Sequence, residues 1–496
     1  MRKRNPLLLL LALCLTFSPL VGQNHPKREF RGTWIHTVGQ DRYAGMNQDS
    51  MKRYFITLLD SLRLAGVNTI IFQVRPEADA WYASSIEPWS RYITGTQGKN
   101  PGWDPFDFLI REGHKRAMEV HAWINPYRVR TSPTKVLTPD HLYFKNRALF
   151  VEYGEYIWFD PGIPASREHI LKVVKDLVSR YDIDAVHIDD YFYPYPIAGK
   201  TFDDSQSFKK YGIPKGYTEA TKADWRRDNV SELIKELHAT VHATKPWVEF
   251  GISPFGIYRN DPKGINGSKT KGFTNYDGLY ADILLWVKKG WVDYLMPQLY
   301  WEIGHKSADY LTLVHWWAEN HGNVPLYIGQ DIVRTVKPDS SKKSQLWQKM
   351  QLAANEPSIS GHCFWPAYEL VNNSGKIVDS LRLNYFKYPA LHPADNPYDK
   401  TPPQPVRNLL LSVSGNDRTL TWNEPEGTSM GDKAAYYVVY AFKDGQPINL
   451  EQASNIVGII TEKRMTIKSS AKKSIYVVTA VDRFHNESKG TTVNTL

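Results

Sequence analysis

The sequence predicts an α/β fold, a (β/α)8 or TIM barrel, followed by a small all-β sandwich. Between residues 28 and 387, eight apolar, strand-like segments alternate with helical segments. A Pro-rich stretch then precedes the short, alternating strands of residues 403–496. Regular alternation of strands and helices is typical of parallel α/β folds, and eight repeats of the unit indicate a closed barrel.

The predicted strands begin with apolar residues and end with polar or aromatic ones. They lie at 30–37, 67–76, 119–128, 185–194, 249–256, 292–301, 324–331 and 361–368. Helices are expected between them, at 50–65, 105–117, 166–181, 222–244, 281–289, 308–320 and 344–354. Because the active sites of such barrels lie at the carboxyl ends of the strands, the polar and aromatic strand ends are candidate functional residues.

The C-terminal part is predicted to form a separate domain. A Pro-rich linker spans 388–402, and the short strands of 403–496 indicate a β-sandwich. The sandwich resembles a fibronectin type III domain, with Trp422 in LTWNEP and Tyr476 in YVVTAVD matching the core Trp and the corner Tyr. Such modules act as spacers or binding units, so we assign no chemistry to this domain.

The N-terminus predicts export. Residues 1–22 combine three basic residues, an apolar run and a small-residue exit, which is the pattern of a secretory signal peptide. The run is too short for a comfortable membrane span, and we expect no transmembrane segment in the mature chain. Cys14 follows Leu13 rather than a small residue, which favours a soluble protein of the periplasm or cell envelope over a lipoprotein. Only Cys363 would remain after cleavage, so no intramolecular disulfide is expected.

Composition narrows the class of partner. The chain has 16 Trp and 29 Tyr, and flat aromatic surfaces commonly bind sugars. Its net charge of +9 comes without a dense run of Lys and Arg, so no nucleic-acid partner is expected. The sequence shows no HExxH motif, Cys/His cluster or phosphate-binding glycine loop, and its scattered histidines predict neither a metal nor a cofactor. A polysaccharide is the expected partner, and the oligomeric state stays open.

The segment AVHIDDYFYP, residues 185–194, places two carboxylates together at the end of an apolar strand. Strand alternation directs His187, Asp189 and Tyr191 into the barrel, whereas Asp190 lies where the chain turns and can point either way. Capping of the following loop is the alternative role for both acids.

Other strand ends offer candidate substrate-binding residues. These are Trp34 and His36, Gln73 and Arg75, Trp123 and Asn125, Gln298, Tyr300 and Trp301, and Trp365, together with His187 and Tyr191. Asp79 follows the second strand and either joins the site or caps its turn. For the aromatic residues, packing inside the barrel is the competing interpretation. It is weaker for the polar residues, because buried polar groups need partners.

Two adjacent acids beside aromatic and polar residues at the strand ends are what glycoside hydrolysis requires. Two carboxyl groups flank the scissile bond while aromatic rings stack on the sugar. Asp189 and Asp190 are therefore the candidate catalytic residues, with Glu302 at the end of the sixth strand as a third. The alternative class is a non-catalytic glycan-binding protein. The paired acids favour an enzyme, because binding alone does not need them.

Several motifs fall in order at successive strand ends, among them RGTWIHT, NTIIFQVRPEADAWY, DPGIPASREHI, AVHIDDYFYP and YADILLWVKKGWVDYLMPQLYW. Together they resemble the glycosyl-hydrolase-like 10 family over residues 28–385. The resemblance implies an exported barrel hydrolase of peptidoglycan glycan strands that lack stem peptides; a hydrolase of another envelope or host polysaccharide is the alternative. It places the family's acid on Asp189 and Asp190 and its Gln-aromatic pair on Gln298 and Tyr300–Trp301. Glu302 is less typical of the family.

Two mechanisms are compatible with the acids. The pair resembles that of hexosaminidases in which the sugar's own acetamido group attacks. By that similarity Asp189 would orient the acetamido nitrogen, Asp190 would be the acid/base, and Tyr300 would hold the acetamido oxygen. The adjacent charge would raise the pKa of the acid. In the alternative, Asp189 is the nucleophile and Asp190 or Glu302 is the acid.

Overall fold

The computed structural model describes residues 25–336, 344–427, 433–468 and 474–494. The predicted signal peptide and Cys14 lie outside the described residues. Eight strands form a closed barrel: β1 (Phe30–Ile35), β2 (Thr69–Arg75), β3 (Glu119–Ile124), β4 (Ala185–Ile188), β5 (Glu249–Ile252), β6 (Tyr294–Leu295), β7 (Leu326–Asp331) and β8 (Ile359–Trp365). Every neighbouring pair is parallel, and β1 closes the ring by pairing with β8. The predicted barrel is confirmed.

A helix follows each strand. These helices are α1 (Gln48–Leu64), α2 (Pro105–His114), α3 (Pro164–Arg180), α4 (Lys222–Thr244), α5 (Ile283–Lys289), α6 (Tyr310–Asn320), α7 (Leu346–Ala354) and α8 (Ala367–Val371). Shorter turns of helix lie at Asp41–Tyr43, Arg91–Thr94, Leu142–Lys145, Arg147–Leu149, Ser205–Ser207, Phe208–Gly212, Ile213–Lys215, Glu219–Thr221, Asn275–Leu279, Ile332–Val336, Ser374–Lys376, Ile377–Ser380, Leu381–Tyr385 and Ala453–Asn455. No helix within the described ranges combines the length and apolar character that crossing a bilayer requires.

The main core lies between the strands and the ring of helices. On β4, Val186 and Ile188 are fully buried in this layer, as strand alternation predicts, and His187 points the other way, into the barrel. Gly251 on β5 makes room at the barrel centre, because a Cβ atom there would lie 1.8 Å from the ring of Tyr294. The Tyr294 hydroxyl lies 2.9 Å from Nδ1 of His187 and 3.0 Å from Nδ1 of His121. The barrel centre is therefore aromatic and hydrogen-bonded.

Strand β6 is much shorter than the predicted segment 292–301. Only Tyr294–Leu295 has regular pairing. Pro297 follows, and proline has no N–H for the ladder. Single bridges from Gln298 to Phe255 and Gly329 keep the chain in line with the barrel beyond that point, so the residues after Pro297 still reach the carboxyl end of the barrel.

An antiparallel sheet that the sequence analysis missed lies between β3 and α3. Its strands are Arg128–Arg130, Phe150–Tyr153 and Tyr156–Phe159, with the last in the centre. Gly154, at φ 62°, begins the tight turn of its hairpin. The sheet covers part of the carboxyl end of the barrel and places Arg128 there.

The C-terminal domain has two antiparallel sheets. One contains β9 (Arg407–Ser414), β10 (Asp417–Asn423) and β13 (Arg464–Lys468), and the other contains β12 (Ile456–Ile460), β11 (Tyr436–Lys443), β14 (Ser474–Val481) and β15 (Thr491–Asn494). Trp422 and Tyr476 are buried in the core between the sheets. The predicted sandwich is present, and its resemblance to fibronectin type III stays a prediction.

The sandwich and the predicted linker lie against the amino-terminal end of the barrel. Glu119, the first residue of β3, receives contacts from both. His485 of the sandwich has Nε2 at 3.2 Å from its Oε1, and His392 of the linker has Nδ1 at 3.3 Å from its Oε2. Leu391 is fully buried within an apolar cluster that includes Ala117 of the barrel and Tyr436 of the sandwich.

Candidate active site

A cavity of about 270 Å³ opens at the carboxyl ends of the barrel strands. This strand-end cavity is lined by Trp34, His36, Val38, Gln73, Trp123, Arg128, Asp189, Asp190, Tyr191, Ser253, Gln298, Tyr300 and Trp365. The two adjacent acids thus share one cavity with aromatic side chains from several strands.

A larger cavity of about 520 Å³ lies at the opposite end of the barrel, between the two domains. Several of its charged groups are already paired: Asp184, for example, contacts both His114 and Arg483. Active sites of barrels of this type lie at the carboxyl ends of the strands. We therefore take the strand-end cavity as the candidate active site despite its smaller volume.

Asp189 is held in one orientation by its neighbours. Trp123 donates from Nε1 to Oδ2 at 2.9 Å, and Asn125 donates from Nδ2 to both carboxylate oxygens at 3.2 and 3.3 Å. The backbone N–H of Tyr191 donates to Oδ1 at 3.3 Å. Burial raises the pKa of Asp189, while the positive charge of Arg128 and these donors act against that rise. Asp189 is a fixed hydrogen-bond acceptor.

Asp190 has a different environment. The Tyr195 hydroxyl donates a short hydrogen bond to Oδ2, and Gln298 also hydrogen-bonds this carboxylate. Burial, followed by the negative charge of Asp189, raises the pKa of Asp190 to about 7. A carboxyl group that still carries its proton near neutral pH is suited to general acid catalysis.

Polar residues beneath the cavity position its wall. Nε2 of His187 accepts a hydrogen bond from Trp34 Nε1 at 3.2 Å and lies 2.9 Å from the Ser253 hydroxyl. Burial lowers the pKa of His187 well below its usual value, so the ring is neutral and can accept. Gln298 donates from Nε2 to the backbone oxygen of Ser253 at 2.9 Å. His187 is therefore a positioning residue, behind the wall rather than on it.

Gln73 and three aromatic residues form the side of the cavity near β1 and β8. The Gln73 Oε1 atom accepts from the backbone N–H groups of Thr37 and Val38, whereas its buried Nε2 has no partner among the described residues. The ring of Trp365 lies 4.6 Å from that of His36 and 6.1 Å from that of Trp123, measured between centroids. This side offers an amide donor beside flat rings, which suits a sugar.

Six predicted site residues do not line the cavity: Asn125 and His187 lie behind its wall, and the other four lie elsewhere. Arg75 is fully buried and donates to both carboxylate oxygens of Glu87 at 2.7 and 2.6 Å. Asp79 is buried in the loop after β2, where it accepts from that loop's own donors. Trp301 packs its ring on Phe255, and the charge of Glu302 acts on a buried lysine, Lys349. The structure gives Arg75 and Asp79 structural partners and brings neither Trp301 nor Glu302 to the acids.

The sequence analysis missed three residues of the wall and one behind it. Val38, Arg128 and Ser253 line the cavity, and Tyr195 holds Asp190. Arg128 was the last residue of the predicted third strand, and its position at the strand end was the available signal. Ser253 carried the same signal, because it lies within the predicted strand 249–256 and directly follows β5. Tyr195 had no sequence signal, because its contact depends on where a loop crosses the cavity.

The fold and the site define a class. Paired carboxyl groups in an aromatic cavity at the strand ends of a (β/α)8 barrel are typical of glycoside hydrolases. The structure superposes on the glycoside hydrolase domain of PgaB (BpsB) from Bordetella bronchiseptica with a TM-score of 0.52 and 11% identity, covering 72% of this chain and 99% of that one. At this identity the similarity bears on the fold alone.

The chain belongs to the Glycosyl hydrolase-like 10 family, whose profile matches residues 29–349. It is 38% identical to the glycosyl hydrolase YngK of Bacillus subtilis (strain 168) over 485 residues, 95% of this chain and 94% of that protein. It is also 38% identical to the glycosyl hydrolase DigH of Escherichia coli (strain K12) over 363 residues, 67% of this chain and 81% of that protein. The predicted family and the class of enzyme are confirmed.

Proposed function

We propose that this glycoside hydrolase is exported and cleaves polysaccharides that contain N-acetylhexosamine, in particular peptidoglycan glycan strands without stem peptides. The observation that carries the proposal is the pair of acids in the strand-end cavity. Asp189 is fixed by three donors, while Asp190 keeps a pKa of about 7. Two carboxyl groups whose surroundings differ in this way are suited to separate roles in one reaction.

The mechanism that uses both acids is substrate-assisted. The acetamido oxygen of the substrate attacks the anomeric carbon while Asp190 donates its proton to the leaving glycosidic oxygen, and the glycosidic bond breaks. Asp189 accepts a hydrogen bond from the acetamido N–H, and Tyr300 donates to the acetamido oxygen. Water then attacks the anomeric carbon, opens the cyclic intermediate and returns a proton to Asp190. Burial raises the pKa of Tyr300 well above its usual value, which keeps its hydroxyl protonated for this role.

The alternative mechanism makes Asp189 the nucleophile. The two routes leave different intermediates, a cyclic one made of sugar atoms or a covalent ester on Asp189. A thiazoline analogue of the cyclic intermediate should therefore inhibit competitively if the acetamido group attacks. A 2-fluoro glycoside that instead leaves a sugar on Asp189, detected by mass spectrometry of the intact protein, would establish the alternative.

Arg128 supports the choice of peptide-free strands. Removal of the stem peptide leaves a free carboxylate on the lactyl group of N-acetylmuramic acid. Arg128 lies in the cavity wall, its Nε donates to the Pro76 carbonyl at 2.9 Å, and its buried Nη2 has no hydrogen-bond partner among the described residues. Arginine binds carboxylates well, and an amide-linked peptide would remove that charge.

The activity test uses three substrates: peptide-free glycan strands, strands that retain stem peptides, and chitooligosaccharides. We expect products, identified by mass analysis, mainly from the first. Asp189→Asn should abolish turnover but leave glycan binding intact. Arg128→Gln should reduce the preference for peptide-free strands over chitooligosaccharides, and Arg147→Gln on the surface is the matched control. If none of the three substrates is cleaved, the proposed substrate class is rejected.

Export rests on the N-terminal sequence pattern and has its own test. The chain with a C-terminal tag should appear outside the cytoplasm with its N-terminus near residue 23, as read by mass spectrometry. An unprocessed chain that stays in the cytoplasm would contradict export and leave the glycosidase proposal standing.

A further inference from the structure

Three side chains with metal-binding atoms meet at the opposite end of the barrel from Asp189. His238 and His242 are four residues apart on α4 and so share one helix face, and Asp293 stands directly before β6. Nε2 of His242 lies 2.8 Å from Asp293 Oδ2, and Nε2 of His238 lies 3.5 Å from Oδ1. One possible ligand atom from each of the three residues lies within 4.8 Å of the other two. We propose that His238, His242 and Asp293 bind a divalent transition-metal ion and that zinc fits the site.

The neighbours of these side chains hold them in a ligand arrangement. Nδ1 of His242 lies 3.2 Å from the Pro246 carbonyl oxygen, which can only accept, so Nδ1 carries the hydrogen. In the neutral ring this leaves the Nε2 lone pair directed at Asp293, which is unfavourable unless a positive charge lies between them. Asp293 is fixed as well, because the backbone N–H of Phe250 donates to its Oδ2 at 2.6 Å. Partners of this kind orient the ligands of metal sites.

The distances are close to those of a tetrahedral zinc site. Zinc–ligand bonds of about 2.0–2.1 Å imply about 3.3 Å between neighbouring ligand atoms. Nε2 of His238 lies 3.5 Å from Oδ1 of Asp293, which is close to this value, whereas Nε2 of His242 lies 2.8 Å from the other carboxylate oxygen, Oδ2, and would have to move away by about half an ångström. Side-chain exposures of 16%, 12% and 7% leave the cluster accessible to an ion but sheltered from bulk water.

Tyr398 of the linker supplies the fourth position. Its hydroxyl oxygen lies 2.9 Å from Nε2 of His238 and 3.2 Å from Oδ1 of Asp293, and its ring centroid is 4.1 Å from that of His242. Imidazole nitrogens with oxygen ligands suit zinc. An ion here would connect α4, the start of β6 and the linker, so its role is to fix the linker to the barrel. This inference is independent of the proposed substrate.

The test is zinc uptake by the full mature chain, purified with a histidine-free affinity tag and treated with chelator. After addition of zinc chloride and desalting, we expect one zinc per chain by elemental analysis and a saturable signal by isothermal titration calorimetry. His238→Ala and His242→Ala, made separately, should each lose the bound zinc. His315→Ala is the matched control, because this histidine lies on α6 and pairs with Glu356 away from the cluster.

A thermal unfolding experiment provides an independent measurement. Zinc should raise the unfolding midpoint of the parent chain and of His315→Ala, and leave those of His238→Ala and His242→Ala unchanged, because an ion that binds only the folded state stabilises it. If the parent takes up no zinc, the cluster is an imidazolium–carboxylate ion pair and the proposal is overturned. Retention of a full equivalent by both ligand variants would overturn it equally.

Discussion

Replacing Tyr195 with phenylalanine removes the hydroxyl that donates to the Asp190 carboxylate. That hydrogen bond favours the ionised form and holds the pKa of Asp190 down, to about 7, against burial and the charge of Asp189. A hydrogen bond to a charged group is worth about 1.5–3 kcal/mol, and one pKa unit corresponds to about 1.4 kcal/mol. The pKa should therefore rise by about one to two units in Tyr195→Phe.

The assay is kcat/KM on peptide-free glycan strands between pH 5 and pH 10. Since the reaction needs protonated Asp190, the rate falls as pH rises through its pKa. We expect the falling limb near pH 7 in the parent and about one to two units higher in Tyr195→Phe. Tyr143→Phe is the matched control, because that hydroxyl donates to Glu152 on the surface. A limb that stays in place or moves to lower pH would refute the assignment of Asp190 as the acid.

Three further predictions concern stability. The pKa of Asp190 in the fold, about 7, lies above its ordinary value of 3.8, so the fold loses stability as pH rises from about 4 to about 7. Asp190→Asn should therefore raise the free energy of unfolding in urea at pH 8, by at most about 4 kcal/mol, and an equal gain at pH 4 would contradict this. Arg75→Met should lower the free energy of unfolding by about 3 kcal/mol, because it leaves the buried Glu87 carboxylate with His169 as its remaining charged partner, and an unchanged urea midpoint would argue against this ion pair. Arg483→Ala removes contacts of 3.3 Å to Asp184 and 2.9 Å to Asp182 across the domain boundary, so limited proteolysis should cut the linker faster than in the parent; identical digestion would show that these contacts do not hold the domains together.

The barrel could be predicted because its strands carry a strong local signal. Parallel strands buried on both faces appear as continuous apolar runs, and alternation along β4 correctly directed His187 inward. Aromatic content was a weaker guide, since Trp81, Trp286 and Trp317 are fully buried core residues. Pro297 explains why β6 is short, but the apolar residues around it led to the prediction of a longer strand.

The site could be predicted where it depends on strand ends and not where it depends on loops. The carboxyl ends of parallel strands converge, so Asp189, Asp190 and Gln298 meet as expected. Arg75 also lies at a strand end, but its partner Glu87 comes from a loop that folds back over β2, and no local pattern reveals that contact. The same limit hid the relation between the histidine pair on α4 and Asp293, which comes from a distant part of the chain.

The contacts of Glu119 determine where this protein can be divided. Its carboxylate touches His485 of the sandwich and His392 of the linker, and Leu391 is buried nearby. A barrel expressed alone and ending at residue 387 would lose both imidazoles, leave Glu119 with His121 of the barrel as its histidine partner, and expose apolar surface that Leu391 and the sandwich now cover. We therefore expect a chain truncated to the barrel to be less stable than the full chain, and a shortened chain should keep the sandwich.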